Sequence, residues 1–315
     1  MQKFWSKRGI LNFLLLPFSG FYLLVHLINF YGRKPKRVAA KVICLGNIMV
    51  GGAGKTPLAI ALGKALLKQG KKVAFISRGY KGALSSATAV RVDARTHTFK
   101  EVGDEPLLLA QIAPTYICTN RYFAARLAEE EGADTLIMDD GLQNNTLVKD
   151  ISILVCDGKY GLGNGFILPA GPLREPFSFV SQLIDYVFCY DKKLQFSDKK
   201  SFIGKTEVVT KGLKGKRYIA LCGIATPEKF LASLRQSGAV VVAKFIFPDH
   251  HPFSELEIAN VLAAARKHKA QIITTAKDYV RLPKSLALDN FQILEIRTQL
   301  PAAFLEEIRV RLNTR

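Results

Sequence analysis

The feature that most constrains the fold is a glycine-rich turn between an apolar run and a helical pattern. The run AAKVICLGN (residues 39–47) is short, branched and largely apolar, which is typical of a buried parallel strand. The turn GGAGKT (51–56) follows it. Residues 57–70 then have helical apolar spacing and end at Gly70, a candidate C-cap. A strand, a tight turn and a helix in this order predict an α/β fold.

The same turn has the composition of a phosphate-binding loop. Successive backbone N–H groups and a helix N-terminus can surround a polyphosphate, while Lys55 neutralises its oxygens and the Thr56 hydroxyl coordinates a metal ion. The usual pattern begins with a glycine where this chain has Met49, so a chance glycine-rich turn is the alternative. The predicted nucleotide-binding residues are Gly51, Gly52, Ala53, Gly54, Lys55 and Thr56.

Apolar runs alternate with helical patterns along the rest of the chain. Predicted strands are KKVAFISRGY, TYICT, DTLIMDDG, ISILVCDG and LIDYVFCY, and EPLLLAQIA and RYFAARLAEEEG are predicted helices. A second α/β unit begins at RYIALCGIA. We therefore predict a P-loop NTPase-like parallel-sheet domain over residues 38–190, a lysine-rich linker or small ribbon over 191–216, and a smaller α/β domain over 217–315.

Residues 1–37 predict an N-terminal membrane-associated helix. The stretch Ile10–Phe30 is apolar and about the ~20 residues that a membrane span requires, but it carries polar residues that are costly in hydrocarbon. An interfacial helix, a span and a buried helix all fit this pattern. The net charge of +19 predicts an anionic partner. Because basic residues flank the apolar stretch on both sides, we expect that partner to be anionic lipid headgroups rather than a nucleic acid. Five cysteines without metal-ligand spacing indicate reduced thiols and the cytoplasm.

Several loops carry residues suited to catalysis. Asp139 and Asp140 end a predicted strand beside the glycine-rich turn, where a magnesium-supporting carboxylate is expected, although a turn-forming Asp-Asp-Gly is the alternative. Asp104 and Glu105 precede a predicted helix, and helix N-terminal acids are common without a function. Three further positions could bind phosphate or face a cleft, or could simply be solvated: Arg78, Arg174 and one of the adjacent pair His250 and His251.

Seven motifs in order resemble the tetraacyldisaccharide 4'-kinase family of the lipid A pathway. They are GNIMVGGAGKTP, SRGYKG, GDEP, DDGLQ, LPAGPLREP, CGIATPEKF and FPDHHPF, and together they cover nearly the whole chain. The resemblance implies ATP- and Mg²⁺-dependent phosphorylation of a sugar hydroxyl on a tetraacylated glucosamine disaccharide that already carries a phosphate. It also implies a helix that seats the enzyme on the cytoplasmic face of the bacterial inner membrane. We separately predict a monomer that binds the anionic lipid surface and no nucleic acid.

The resemblance also implies roles for individual residues. Asp104 resembles the family's general base, supported by His250, and Lys55 would act on ATP. The expected metal-binding positions are Thr56, Glu105, Asp139 and Asp140, and the expected substrate contacts are Tyr80, Arg121, Arg174 and Glu175. The chain departs from the family at Asn144, where a histidine is usual.

Two other activities fit part of the sequence. A membrane-associated P-loop ATPase of the positioning or partitioning type would also combine a glycine-rich loop with a membrane helix, but it usually has a lysine where this loop has Met49 and Val50. A basic nucleic-acid-binding module would explain the charge but not the loop.

Overall fold

The computed structural model of the protein describes residues 3–159, 161–193, 198–283 and 290–314. These residues form two sheets that are covered by helices. The strands are β1 (Lys41–Gly46), β2 (Val73–Ser77), β3 (Val90–Val92), β4 (Thr115–Ile117), β5 (Thr135–Asp139), β6 (Ile151–Asp157), β7 (Tyr186–Tyr190), β8 (Lys200–Val208), β9 (Arg217–Cys222), β10 (Val240–Ile246), β11 (Gln271–Thr275), β12 (Phe291–Leu294) and β13 (Ile296–Gln299). The helices are α1 (Ile10–Leu14), α2 (Leu16–Tyr31), α3 (Lys55–Lys68), α4 (Phe99–Val102), α5 (Asp104–Ala110), α6 (Arg121–Glu130), α7 (Phe177–Leu183), α8 (Pro227–Gln236), α9 (Glu255–His268), α10 (Ala276–Tyr279) and α11 (Ala302–Asn313).

The larger sheet is mostly parallel, with β1 near its centre. Within the described residues its strand order is β13-β8-β7-β6-β1-β5-β2-β4-β3, and only β3 and β13 at the two edges pair antiparallel. Every residue of β5, β6 and β7 is buried. Strands covered on both faces need continuous apolar side chains, which is why these segments are apolar runs rather than alternating patterns. The parallel α/β prediction is confirmed.

Helices cover both faces of this sheet. On one face Leu58 and Leu62 of α3 pack with Ile43 and Ile137 of the central strands. On the other face the core contains small side chains of α6 and Val180 of α7. Because the strands are parallel, the loops that follow β1, β2, β4 and β5 all emerge at one edge, which therefore collects the polar residues of several distant sequence segments.

The smaller sheet repeats this design. Its four described strands are parallel in the order β10-β9-β11-β12. Phe230 and Leu234 of α8 pack on one face, and Ile258 and Val261 of α9 pack on the other. The sheet therefore has its own core on each side.

The chain between and after the predicted domains differs from the sequence expectation. Part of the predicted linker, Lys200–Val208, is β8 and pairs in parallel with β7, so it extends the larger sheet. The end of the predicted smaller domain returns to the larger one: β13 pairs with β8, and Phe304 of α11 lies 5.1 Å from Phe188 between ring centroids. The sequence concealed this strand because β8 lies next to the edge of the sheet and is buried only at Phe202 and Gly204, so it has no continuous apolar run.

The N-terminal helices lie against the larger domain. The Asn12 side chain donates to the carbonyls of Phe4 and Ala170, and the Ser19 hydroxyl donates to the carbonyl of Ile167. Asn12 and Ser19, two of the polar residues that made the segment look unsuited to a membrane, are thus buried contacts with the protein. No helix in the described part of the chain is long and apolar enough to cross a membrane.

We predict that α11 stabilises the larger domain. Phe304→Ala should lower the free energy of unfolding by about 3–5 kcal/mol, because it removes a fully buried aromatic ring and leaves a cavity. Val310→Ala, on the same helix but half-exposed, should change it by less than about 1 kcal/mol. Urea unfolding monitored by circular dichroism measures both values. Equal effects of the two substitutions would show that α11 is not packed as described.

Candidate active site

A single large cleft contains most of the residues singled out by the sequence. Its volume is about 2220 Å³, and it runs between the carboxyl edge of the larger sheet and the smaller sheet's loops. The glycine-rich loop, Asp139 and Asp140 line one side, and Thr226, His250 and Lys277 line the other. Both sheets therefore contribute to one site.

The glycine-rich loop has the backbone of an anion-binding loop. Gly51 and Gly54 have φ of 121° and 85°, in the left-handed region that glycine adopts without strain. A Cβ at Gly54 would lie 2.5 Å from the ring of Tyr190, whose hydroxyl donates to the Gly54 carbonyl. Met49, at the position where a glycine usually begins such a loop, forms an isolated antiparallel β-bridge with Leu173.

Thr56 and Asp139 lie together at the start of α3. The Thr56 hydroxyl donates to Asp139 Oδ2 at 2.9 Å, and Asp139 Oδ1 is buried without a hydrogen-bond partner among the described residues. Burial, with the nearby Glu105 carboxylate, raises the pKa of Asp139 to about 7 despite the positive charge of Lys55. A buried carboxylate oxygen without a partner, beside a hydroxyl, is a suitable ligand pair for a divalent cation.

Asp140 is held by two cations. Lys55 Nζ lies 3.5 Å from Asp140 Oδ1, and Arg174 NH1 donates to both carboxylate oxygens at 3.1 and 3.2 Å. Burial opposes ionisation, but these two charges outweigh it and hold the pKa of Asp140 below its usual value. Asp140 adopts φ of 53°, a left-handed conformation that Asp tolerates better than most residues. The carboxylate is thus fixed and ionised at the end of β5.

Asp104 of the larger domain pairs with His250 of the smaller one. Asp104 is 4% exposed, and its Oδ2 lies 2.9 Å from His250 Nδ1. Arg281 Nε and Lys277 Nζ approach the same oxygen at 3.5 and 3.9 Å. Burial would raise the pKa of Asp104, but the hydrogen bond from His250 and these charges lower it below its usual value. Asp104 is not itself a lining residue of the cleft, but its neighbours Glu105 and His250 are, and an ionised, oriented carboxylate beside them can accept a proton.

Lys277 connects this pair to Glu105. Its ammonium lies 3.2 Å from Glu105 Oε1 and 3.4 Å from His250 Nε2. Burial disfavours its charge, but the surrounding carboxylates of Glu105, Asp104 and Asp249 raise its pKa. Ligand atoms of Asp104, Glu105 and His250 also lie within 4.8 Å of one another, so a cation could bind there if Lys277 moved. Glu105, one of the predicted metal-binding residues, thus forms an ion pair with Lys277 of the smaller domain.

The four residues expected to contact substrate have different surroundings. Tyr80 is half-exposed in the cleft, with its ring 5.5 Å from that of His250. Arg121 also lines the cleft, although it is 4% exposed; its NH1 donates to the carbonyls of Cys118 and Thr119, and its Nε has no partner among the described residues. Burial and the nearby Arg78 lower the pKa of Arg121 to about 10. Arg174 lines the cleft, whereas Glu175 is fully buried.

Asn144, where the sequence departs from the expected histidine, is part of a turn. Its Oδ1 accepts hydrogen bonds from the Thr146 backbone nitrogen at 3.1 Å and the Thr146 hydroxyl at 2.6 Å. Its Nδ2 faces the Thr119 carbonyl at 3.5 Å. Asn144 lines the cleft, but its hydrogen bonds are those of a turn-stabilising side chain.

Four residues of the site were not predicted from the sequence: Gln143, His26, Lys277 and Arg281. Gln143 lies two residues after the Asp-Asp-Gly motif and lines the cleft. Lys277 lies on the four-residue helix α10, which follows the apolar strand β11, and Arg281 lies two residues beyond that helix. Asp139 was predicted because polar residues at the carboxyl end of a buried parallel strand often line a site. Lys277 also follows such a strand, so the same pattern predicts it. His26 gave no such signal, because it lies within an apolar helix.

Comparisons with known proteins assign the chain to a family. A family model described as tetraacyldisaccharide-1-P 4'-kinase matches residues 11–313. The chain belongs to the tetraacyldisaccharide 4'-kinase family. A tetraacyldisaccharide 4'-kinase of Paramagnetospirillum magneticum is 42% identical over 305 residues, covering 90% of this chain and 89% of that protein. One of Rhizobium meliloti is 41% identical over 290 residues, covering 88% and 83%.

A solved structure has the same architecture. The crystal structure titled "apo" form LpxK from Aquifex aeolicus in complex with ATP is similar with a TM-score of 0.79 and 27% identity, covering 97% of this chain and all of that one. The family resemblance inferred from the motifs is confirmed, and among the activities considered from the sequence the family supports the kinase.

We predict that His250 acts on Asp104 and that its neighbour does not. His250→Ala should lower kcat by about 10²-fold with little change in KM for ATP, because Asp104 loses its orienting hydrogen bond. His251→Ala is the matched control, since His251 Nε2 contacts Glu257 of α9 instead, at 3.0 Å. Steady-state kinetics of both variants measures the difference. A silent His250→Ala with a severe His251→Ala would assign the role to the other histidine.

Proposed function

We propose that this protein transfers the γ-phosphoryl group of ATP to the 4'-hydroxyl of a tetraacylated glucosamine disaccharide 1-phosphate in lipid A biosynthesis. Family membership supports the reaction and the substrate class. The observation that carries the proposal is that the glycine-rich loop and His250 line one cleft, and that His250 contacts the buried carboxylate of Asp104 directly behind the cleft wall. Phosphoryl transfer needs both a fixed positive environment for the phosphates and a group that takes the hydroxyl proton.

The nucleotide side of the reaction is proposed to use the loop and its flanking charges. The backbone N–H groups of residues 51–56 would surround the phosphates, and Lys55 would stabilise the negative charge on the transferred group. Thr56 and Asp139 would hold Mg²⁺, with Asp140 and Glu105 beside it; the buried Asp139 oxygen without a partner fits a cation. A magnesium ion held by these residues would supply positive charge that offsets part of the charge of the phosphates.

The acceptor side is proposed to use Asp104 as the general base. As the sugar hydroxyl attacks the γ-phosphorus, Asp104 Oδ2 accepts its proton, while the bond between that phosphorus and the ADP oxygen breaks. His250 Nδ1 donates to this carboxylate and fixes its direction. Tyr80, Arg121 and Arg174 line the same cleft and would contact the disaccharide.

We further propose that α1 and α2 place the enzyme on the cytoplasmic face of the inner membrane. Their outer face is apolar and solvent-exposed, and its large exposed residues are Ile10, Leu11, Phe13, Leu14, Leu16, Phe18, Phe21, Leu24, Val25, Ile28 and Tyr31. An apolar patch of this kind is rare on a free monomer surface and suits the interface of a bilayer. Basic residues near both ends of the segment, among them Arg8, Arg33 and Lys34, suit anionic headgroups.

The exposed apolar face should govern access to lipid but not to nucleotide. A Phe21→Ser/Ile28→Ser variant should weaken binding to anionic vesicles by at least about tenfold, since each side chain contributes about 1.5–3 kcal/mol when buried. KM for the lipid disaccharide should rise, and KM for ATP should stay within about twofold. Leu256→Ser, an exposed apolar residue of α9, is the matched control. Vesicle sedimentation and steady-state kinetics measure these values, and parallel losses toward both substrates would contradict the proposal.

Lys55 should be essential to the chemical step. Lys55→Ala should lower kcat by about 10²-fold or more while the melting temperature stays near that of the wild type, because Lys55 acts on charge that develops in the transition state. Lys267→Ala, an exposed lysine of α9, controls for the loss of one positive charge.

The function itself is tested by product formation. ATP consumption should require the lipid disaccharide, yield a second phosphate on it, and be unaffected by DNA. Retention of more than about a tenth of the activity by Lys55→Ala would contradict the proposed role of the loop. ATP turnover that does not depend on the disaccharide would contradict the proposed reaction.

A further inference from the structure

A fully buried carboxylate lies directly behind the catalytic cleft. Glu175 follows the cleft residue Arg174 and is 0% exposed. Its two oxygens are occupied separately: His26 Nε2 lies 2.9 Å from Oε2, and Gln143 Nε2 donates to Oε1 at 2.6 Å. A carboxylate only accepts hydrogen bonds, so His26 Nε2 carries a hydrogen and donates it. A charge buried this deeply would be costly without both donors.

These contacts belong to a continuous chain of hydrogen bonds between α2 and the loop lysine. From His26 the chain passes through Glu175 to Gln143, whose Oε1 accepts from Arg174 NH1 at 3.2 Å. Arg174 in turn holds both oxygens of Asp140, and Asp140 lies beside Lys55. The helix that bears the exposed apolar face is thereby connected to the centre proposed to bind nucleotide.

The direction of each hydrogen bond fixes the next one. Both Gln143 amide hydrogens are used, one by Glu175 and one by the Asn47 carbonyl at 3.0 Å. The Gln143 oxygen must therefore point to Arg174, where it can only accept. If Glu175 were released, the Gln143 amide could turn and place its NH₂ against the guanidinium, which would repel Arg174. The orientation of Arg174 toward Asp140 thus depends on Glu175 being held.

We infer that His26 is a positioning residue of the phosphoryl-transfer site, which holds Glu175 so that Gln143 and Arg174 keep Asp140 in place. This inference rests on the proposed kinase reaction and deepens it. His26 is 13% exposed in its side chain, and its ring packs edge-on to Phe179 at 6.3 Å, so its position is fixed by the protein. The N-terminal helix then has two roles that separate by face: the outer face binds lipid, and His26 on the inner face orders the site.

A second polar residue of α2 provides the matched control. Ser19 is 4% exposed and also ties the helix to the larger domain, since its hydroxyl donates to the Ile167 carbonyl at 2.8 Å and accepts from the Ala170 nitrogen at 3.2 Å. These bonds do not lead to Arg174 or Asp140. Ser19→Ala therefore weakens the docking of the helix without touching the chain that starts at His26.

The experiment compares His26→Ala, His26→Gln and Ser19→Ala in the full-length protein. With lipid disaccharide in mixed micelles, His26→Ala should lower kcat by about tenfold or more, because a misplaced charged group at the reacting centre costs up to about 10² in rate. KM for ATP and binding to anionic vesicles should stay within about twofold. His26→Gln, whose amide can donate to Glu175, should recover kcat to within about threefold of the wild type. The kcat of Ser19→Ala should also lie within about threefold of the wild type.

A double-mutant cycle tests the route through Glu175. In a Glu175→Gln background, His26→Ala should lower kcat by much less than in the wild type, because the contact it removes is already changed. Independent, additive losses would overturn the inference. So would equal losses in His26→Ala and Ser19→Ala, or a His26→Gln variant no better than His26→Ala, since either result assigns His26 to helix docking alone.

A readout that needs no turnover separates this inference from the proposed function. In protein labelled with ¹⁵N-glutamine, the side-chain N–H resonances of Gln143 should shift in His26→Ala, return toward wild type in His26→Gln, and stay unchanged in Ser19→Ala. Unchanged Gln143 resonances in His26→Ala would overturn the inference even if kcat fell. A wild-type protein inactive on the disaccharide would refute the proposed reaction, while these resonances would still decide the role of His26.

Discussion

Compensation of buried negative charge is the constraint on which the cleft depends. Asp104, Asp139 and Glu175 are each at most 4% exposed, and an isolated carboxylate at that depth is too costly to persist ionised. Asp104 and Glu175 obtain their compensating donors from segments distant in sequence: Asp104 from His250, and Glu175 from His26. Asp104 and Glu175 of the larger domain therefore contact the smaller domain and the N-terminal helix, respectively, directly behind the cleft.

Asp139 differs from the other carboxylates because its compensation is incomplete. Thr56 donates to one oxygen, the other has no hydrogen-bond partner among the described residues, and burial raises the pKa of Asp139 to about 7. Asp140, one residue later, has two cations against it and a lowered pKa. Adjacent carboxyl groups with opposite shifts indicate different tasks, one suited to a cation and the other fixed by protein charges.

The two faces of α2 explain why one short helix carries both apolar and polar residues. Phe21 and Ile28 are exposed, while Ser19 and His26 contact the larger domain. In the sequence these residues are mixed within one apolar stretch, because neighbouring residues of a helix point to different faces and one face recurs only every three to four residues. Ser19 and His26, two of the polar residues that argued against a membrane span, bind the helix to the larger domain.

The sequence by itself determined the α/β class, the glycine-rich loop and the family. Buried parallel strands must be apolar along their whole length, and the loop needs glycine and lysine at fixed spacing, so both patterns are local. Only the tertiary structure decided that β8 and β13 extend the larger sheet and α11 packs on it, that Lys277 reaches Glu105, and that His26 holds Glu175. The two side-chain contacts join residues 149 positions apart for His26 and Glu175 and 172 positions apart for Lys277 and Glu105, and they are set by the packing of whole elements. No local pattern of residues encodes such a distance, which is why they appear only in the folded chain.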